Sequence, residues 1–346
     1  MADERIGLGF IGAGDIVRTR HLPGFEKIPG VEFAAVANRS RESASRVAAD
    51  FGIADVCDNW RGVIDHPNVD AVVIGTWPYK HSEYGIAALE AGKHVFSQAR
   101  LAMDAADARR MVAAAAETGL TTMVCPPPHG MRVEPTVMRM VADGFLGDPV
   151  HVVVRHFQPS YMEAATPLHW RQISEYSGFH TLTLGIFAEI VGRWFGYAAE
   201  VSAVDAIFTP ERPLTDGSGS GAVSRPDSVF IAGRMESGAT LSYAFSGVVG
   251  APSGNVIEGY GLSGSLRYLA DEDVLLAASA PDWVEEEVQI APADEGGWRV
   301  EEEFIQAIRE GRSGNPSWEE GLKYMQFVEA VEESARTGRS ASVSSV

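Results

Sequence analysis

Cysteine is nearly absent from this chain, and so are several other features that would narrow its role. Only Cys57 and Cys125 occur in 346 residues, neither within a C-x-x-C, so no disulfide framework exists. Both stand beside predicted strands and read as small core side chains. Basic charge is also scarce. There are 28 Lys and Arg against 47 Asp and Glu, a formal net charge of −19, with no basic run. That excludes a general role on nucleic acid or at a membrane surface, and the acidic balance reads as a solvated surface. No run of about 18 apolar residues is present to cross a bilayer. The opening MADERIGLGFIG has no basic-then-apolar leader, so a reducing, cytoplasmic setting is expected. No H-x-x-H, H-E-x-x-H or Cys/His cluster appears, and no metal is expected.

What is present is an ordinary globular composition, 45% hydrophobic and 22% charged, on a chain long enough for two cores. Apolar runs at 6–12, 33–38, 71–76, 94–97 and 121–125 read as buried strands. Helical stretches lie between them: 82–92, ending on Gly92, and 104–119, from an Asp104 N-cap to Gly119. This alternation predicts an α/β domain with a parallel sheet over residues 1–125. From 126 to 346 the texture becomes α+β. A helix is expected at 134–144, then β-rich runs at 150–157, 200–208, 228–234, 240–246, 255–262 and 273–278. These predict a large open, mainly antiparallel sheet. Further helices are expected at about 177–195, 301–311 and 318–335, and 209–228 reads as a long polar loop.

GFIGAGDIV places Gly12 and Gly14 after the first strand and before a helix. The first glycine permits the tight turn; the second lets backbone approach a pyrophosphate at the helix N-terminus. Val17 in the third slot departs from G-x-G-x-x-G/A. The second strand ends at Asn38, then Arg39, Ser40 and Arg41, with no acidic residue to hold the ribose hydroxyls of NAD. Nearby arginines favour a 2′-phosphate, so NAD(P) is expected with a lean to NADP.

GFIGAGDI, RHLPGFEKIPGVEFAAVANRS and TWPYKHSEYGIAALEAGKHVFSQARLA together resemble the glucose–fructose oxidoreductase / inositol dehydrogenase (Gfo/Idh/MocA) family, over most of the chain. The resemblance implies a Rossmann domain followed by an α/β domain whose open sheet often forms the oligomer interface, here a homodimer or homotetramer. It also implies a nicotinamide-dependent oxidoreductase acting on a sugar-like small molecule. Gly12, Gly14, Asp15 and Ile16 would then line the pyrophosphate, and Asn38 and Arg39 would face the adenosine ribose. Thr76, Trp77, Pro78 and His81, from the family's T-x-P-x-x-x-H, would lie along the middle of the coenzyme.

Two departures bear on chemistry. The family's Glu-Lys-Pro is Gln98-Ala99-Arg100, and its helical D-x-G-x-H is Thr183, Gly185 and Phe187. The usual lysine and histidine are both missing. Gln98 hydrogen-bonds but does not titrate, and Arg100 polarises an oxygen but is a poor base. On one continuous helix, His180 would share a stripe with Thr183 and Phe187, roughly 4.5 Å before position 183. His180 is therefore the expected acid–base or substrate-contact residue. PLHWRQ at 167–172 supplies Trp170 for stacking, Arg171 as a bidentate fork and His169 as a donor. His129, in PPPHGMR, reads as a loop histidine, and Glu189 as solvent-facing or paired with Arg193 at i+4. Two alternatives stay open: a lyase, hydrolase or epimerase that retains NAD(P) without net redox, and a catalytically silent dinucleotide-binding protein.

Overall fold

The computed structural model describes residues 5–252 and 254–343. The chain divides into two compact units. The first is Met1–Pro126 with Arg299–Leu322; the second is Pro127–Trp298 with Lys323–Val346. The stretch 299–322 thus returns to the first unit, which sequence boundaries at 125 and 126 do not convey.

In the first unit, the strands are β1 (Ile6–Ile11), β2 (Val31–Ala37), β3 (Asp55–Val56), β4 (Ala71–Ile74), β5 (His94–Ser97) and β6 (Thr122–Val124). They form one parallel sheet in the order β3-β2-β1-β4-β5-β6. Every residue of β1 and β4 is buried, as expected when both faces of a parallel sheet are covered. The helices between strands are α1 (Leu22–Phe25), α2 (Arg41–Phe51), α3 (Trp60–Ile64), α4 (His81–Glu90) and α5 (Ala105–Thr118). α1 ends a helical run over residues 15–25 that is π-helical at Val17–His21. Asp104 caps α5 by accepting from the Asp107 amide at 2.7 Å, and the helix stops at Gly119, as the sequence indicates. Phe10, Phe25 and Phe96 form an edge-to-face core joined by Phe304 of the returning stretch.

The second unit opens with α6 (Glu134–Ala142) and β7 (Pro149–Phe157), followed by α7 (Ser174–Ser177) and α8 (Leu184–Phe195). Its remaining strands are β8 (Ala198–Ala206), β9 (Glu211–Pro213), β10 (Ser220–Ala222), β11 (Ser228–Met235), β12 (Thr240–Ser246), β13 (Val256–Gly261), β14 (Gly264–Leu269), β15 (Val274–Ser279), β16 (Glu286–Glu287) and β17 (Ala341–Ser342). Nine of the strands form one sheet, β16-β15-β14-β13-β7-β12-β11-β8-β17, antiparallel except for the β7–β12 pair. Alternation sends Val154, His156, Tyr243 and Phe245 inward, where Phe245 meets Phe187 of α8. Val204 and Phe230 project from the other face, 72% and 52% exposed. Two more helices precede β17 in the chain: α9 (Val300–Glu310), which belongs to the first unit, and α10 (Trp318–Thr337).

Three sequence expectations change. The helix expected at 177–195 is broken: Gly178, at φ 62°, ends α7, and α8 begins only at Leu184. The cause is local capture. Arg225 donates to the Phe179 carbonyl and the Thr181 hydroxyl, each at 3.0 Å, satisfying polar groups outside a helix. His180 therefore shares no helical stripe with Thr183 and Phe187. The expected loop at 209–228 contains the β9–β10 ribbon. Arg212, 1% exposed, ties that ribbon down by donating to the carbonyls of Tyr161, Glu163 and Thr166. Finally, β14 escapes sequence reading because GSLRYL opens on glycine and serine, which mask its alternation.

Candidate functional site

In the first unit, a cleft of about 280 Å³ opens at the carboxyl ends of β1 and β4. Gly12 makes the turn after β1 at φ 80°, and a Cβ there would stand 2.6 Å from Thr76 Cγ2. Its amide bonds the Ala37 carbonyl at 2.8 Å. The Ala13 amide donates to Asn38 Oδ1 at 2.7 Å, and Asn38 Nδ2 donates to Ser43 Oγ at 3.0 Å. The Asn38 side chain thus braces the glycine turn against α2. Gly14, Arg39, Thr76, Trp77 and Tyr79 complete the wall. Asp15 and Ile16 start the helix behind the turn, where first-turn amides have no intrahelical acceptor. Arg39 is exposed on the cleft, whereas Arg41 is engaged by Asp58.

The residues present fit a dinucleotide. The turn leaves no room for a side chain at Gly12, and Thr76 Oγ1 is buried on the cleft wall without a hydrogen-bond partner. A buried hydroxyl in that state is costly unless a ligand satisfies it. Tyr79, 42% exposed, was not singled out in the sequence, although it falls inside TWPYK. His81 and Pro78 do not line the cleft. His81 is fully buried. Its Nδ1 meets the carbonyls of Arg100 and Leu101 at 2.9 and 3.1 Å, and its Nε2 meets the Thr76 carbonyl at 2.9 Å. Burial lowers its pKa. His81 therefore reaches the cleft wall only by its bond to the Thr76 carbonyl.

Gln98 directly follows β5, its amide nitrogen bonded to the Ile74 carbonyl at 2.9 Å. Its side-chain amide contacts His21 Nε2, and His21 Nδ1 lies 2.5 Å from Glu301 Oε1. His21 is 0% and Glu301 3% exposed. Nothing local in the sequence joins these residues; a buried histidine on one helix and a glutamate 280 positions later meet only in the fold. Arg100 is also buried.

The second unit holds another cluster that sequence reasoning missed. His156 on β7 is 4% exposed, and its Nδ1 lies 2.9 Å from the hydroxyl of Thr183, which caps α8. Gln158 meets the other ring nitrogen at 3.2 Å. Phe187 packs between His156 and His129, with ring centroids 4.6 and 5.6 Å away. Burial, reinforced by His129, pushes the His156 imidazole down to about 4. Burial also lowers His129. The positions that depart from D-x-G-x-H therefore pack against two histidines supplied by other elements. The pattern that would have revealed one of them is β alternation in VHVVVRHF, which turns His156 inward.

His180 is buried in the irregular stretch before α8. His169, Trp170 and Arg171 sit in a tight turn, where His169 Nδ1 accepts from the Arg171 amide and Gln172 Oε1 from the His169 amide. The Arg171 guanidinium lies 4.5 Å over the Trp170 ring, covering one indole face. Glu189 pairs with Arg193 at 2.7 Å but is buried rather than solvent-facing, and Arg193 also binds Glu134. Among the described residues, no cluster of three His, Cys, Asp or Glu side chains is arranged to hold a metal. Among the same residues, no helix is long and apolar enough to cross a membrane.

Comparison with known proteins bears on both units. Residues 6–125 match the family described as "Oxidoreductase family, NAD-binding Rossmann fold", and residues 135–267 match the "GFO/IDH/MocA C-terminal domain". The chain is 27% identical to levoglucosan dehydrogenase of Pseudarthrobacter phenanthrenivorans over 95% of each protein. It is 30% identical to 4-carboxy-2-hydroxymuconate-6-semialdehyde dehydrogenase of Sphingobium sp., covering 90% of this chain and 93% of that one. A solved levoglucosan dehydrogenase in complex with NADH and L-sorbose superposes with a TM-score of 0.88 at 26% identity, covering 98% of this chain and 99% of that chain.

Proposed function

Because the chain belongs to the Gfo/Idh/MocA family of NAD-binding oxidoreductases, we propose that it oxidises a hydroxyl of a sugar, polyol or sugar-acid derivative, or reduces the matching carbonyl. When bound, the nicotinamide ring takes or returns the hydride. The observation that carries the reading is the glycine-turn cleft with the buried, unpartnered Thr76 hydroxyl on its wall. Arg39 on that cleft, with no carboxylate among the lining residues, supports acceptance of a 2′-phosphate and hence of NADP. The named activities of relatives, levoglucosan and inositol dehydrogenases among them, support a sugar-like substrate.

Substrate contacts fall to Trp170, Arg171 and His169, an aromatic face beside a guanidinium fork. Gln98 and Arg100 are assigned to polar contacts at the end of β5. Proton handling belongs to the approach to α8, with His180 as one group and the Thr183 hydroxyl, backed by His156, as the other. A second copy of the chain is assigned to the uncovered face of the nine-stranded sheet, giving a homodimer or homotetramer.

The test is turnover of levoglucosan and inositol with NAD+ or NADP+, and of 1,5-anhydro-D-fructose with NADH or NADPH, followed by reduced-nicotinamide absorbance and by product analysis. A net absorbance change with product supports the proposal. Product without net change replaces it with an enzyme that recycles its retained dinucleotide. At least tenfold tighter binding of NAD than NADP, about 1.4 kcal/mol, overturns the coenzyme assignment alone.

A further inference from the structure

The cleft described above explains the adenosine and diphosphate end of a dinucleotide, but not the buried Glu301–His21 pair behind Gln98. In an open parallel sheet, ligands lie outside the carboxyl ends of the strands, where the strand order reverses. Here the reversal falls between β1 and β4. The adenosine half belongs over the end of β2, beside Asn38 and Arg39. The other half then runs the opposite way, over the ends of β4 and β5. Gln98 is the first residue past β5, two strands or about 10 Å from β1.

The Gln98 amide is not left to choose its own orientation. A carboxylate accepts only, so Glu301 fixes a hydrogen on His21 Nδ1, at 2.5 Å. The opposite nitrogen, Nε2, meets the Gln98 amide. The Gln98 atom at that contact is its amide nitrogen, which only donates, so Nε2 accepts and Gln98 Oε1 is turned the other way. Loss of the Glu301 carboxylate removes the constraint on the ring hydrogen and, with it, on the amide. His21 is further walled by Phe25 and Phe96, with ring centroids 6.5 and 5.0 Å away. Two buried, polar side chains thus set the direction of one amide dipole, that of Gln98, itself only 9% exposed.

We propose that the buried Glu301–His21 pair holds the Gln98 side-chain amide as a contact for the nicotinamide end of the dinucleotide, with its oxygen outward, and so favours the oxidised over the reduced coenzyme. The proposal rests on the dinucleotide reading of the cleft. Oxidised nicotinamide carries a positive charge that the reduced ring lacks, so an oriented carbonyl oxygen discriminates between them. Gln98 is a contact residue; His21 and Glu301 are positioning residues that act through it. Contacts to the adenosine, diphosphate and Arg39 are common to both redox forms and cancel in the ratio of their affinities.

The experiment measures dissociation constants for NAD+ and NADH on the full chain and on Gln98→Met, Gln98→Glu and Glu301→Gln, with circular dichroism melts alongside. Gln98→Met is expected to weaken NAD+ relative to NADH by about fivefold, the scale of one hydrogen bond. Glu301→Gln should shift the ratio in the same direction, and Gln98→Glu in the opposite one. If Glu301→Gln fails to fold, the two Gln98 variants still decide, because they leave Glu301 and His21 in place. Ratios within twofold of wild type across the folded variants overturn the proposal while leaving the dinucleotide reading in place. If the wild-type chain binds neither form, nor NADP+ or NADPH, the dinucleotide reading itself fails and the proposal goes with it.

Discussion

Burial and the neighbouring His129 hold the His156 imidazole at about 4, below its ordinary 6.5. The other groups facing it are the Thr183 hydroxyl, the Gln158 amide and, more remotely, the Asp271 carboxylate, which opposes the shift. The folded chain therefore keeps this ring neutral while the unfolded chain protonates it below about 6.5. Stability from the neutral ring is complete above 6.5 and is lost as pH falls toward 4. The gap corresponds to about 3 kcal/mol at the acid end. Melts of wild type and His156→Gln from pH 7 to pH 4 test this. The variant keeps a partner for Thr183 but has no proton to take up, so its melting temperature should fall less steeply. Parallel curves would mean that His156 is solvated in the folded chain.

The approach to α8 is built as an element by Arg225, not by helix propensity. This guanidinium is 5% exposed and holds Glu332 at 2.6 Å together with the Phe179 carbonyl and the Thr181 hydroxyl. Arg225→Met should cost about 1–3 kcal/mol, because a half-buried carboxylate, the Phe179 carbonyl and the Thr181 hydroxyl lose their donor. It should also weaken binding of any sugar substrate more than binding of NADH, which the first unit holds. A melt paired with an NADH titration measures both. The same element shows where sequence reading runs out. TLGIFAEIVGRWF reads as helix because its apolar residues follow the helical period, and α8 confirms that from Leu184 onward. The stop before it depends on Arg225, more than 40 residues later, and no local pattern announces it. The Rossmann strands were legible because burial on both faces leaves short apolar runs between helices. The glycine turn was legible because Gly12 is a local backbone demand. His21 with Glu301, and His156 with Thr183, were not, since each pair joins side chains from separate elements through packing alone.

At the scale of the whole molecule, the outer face of the nine-stranded sheet is the surface proposed for assembly. Its inner face is covered by α8 and by α10, whose Phe327 ring lies 5.5 Å from that of Tyr243. On the outer face, Val204 and Phe230 stand directly opposite each other on β8 and β11, among the small side chains of Ser202, Ala232, Ser242 and Ala244. A broad apolar surface of small residues is costly in water and lets a second sheet approach closely. The net charge of −19 works against association everywhere else, since like-charged copies repel until the contact excludes charge. A self-complementary contact across this face satisfies both demands, and a twofold axis brings Val204 and Phe230 of each copy to the same patch. Light scattering should therefore give a mass of two or four chains for wild type. Phe230→Lys with Val204→Lys should shift it to one chain, by burying lysines that have no partner. NADH affinity should stay within twofold of wild type, because neither residue touches the first unit's cleft. Wild type that remains a single chain at high protein concentration would remove the face from assembly, since closer packing of copies is then not what its apolar surface serves.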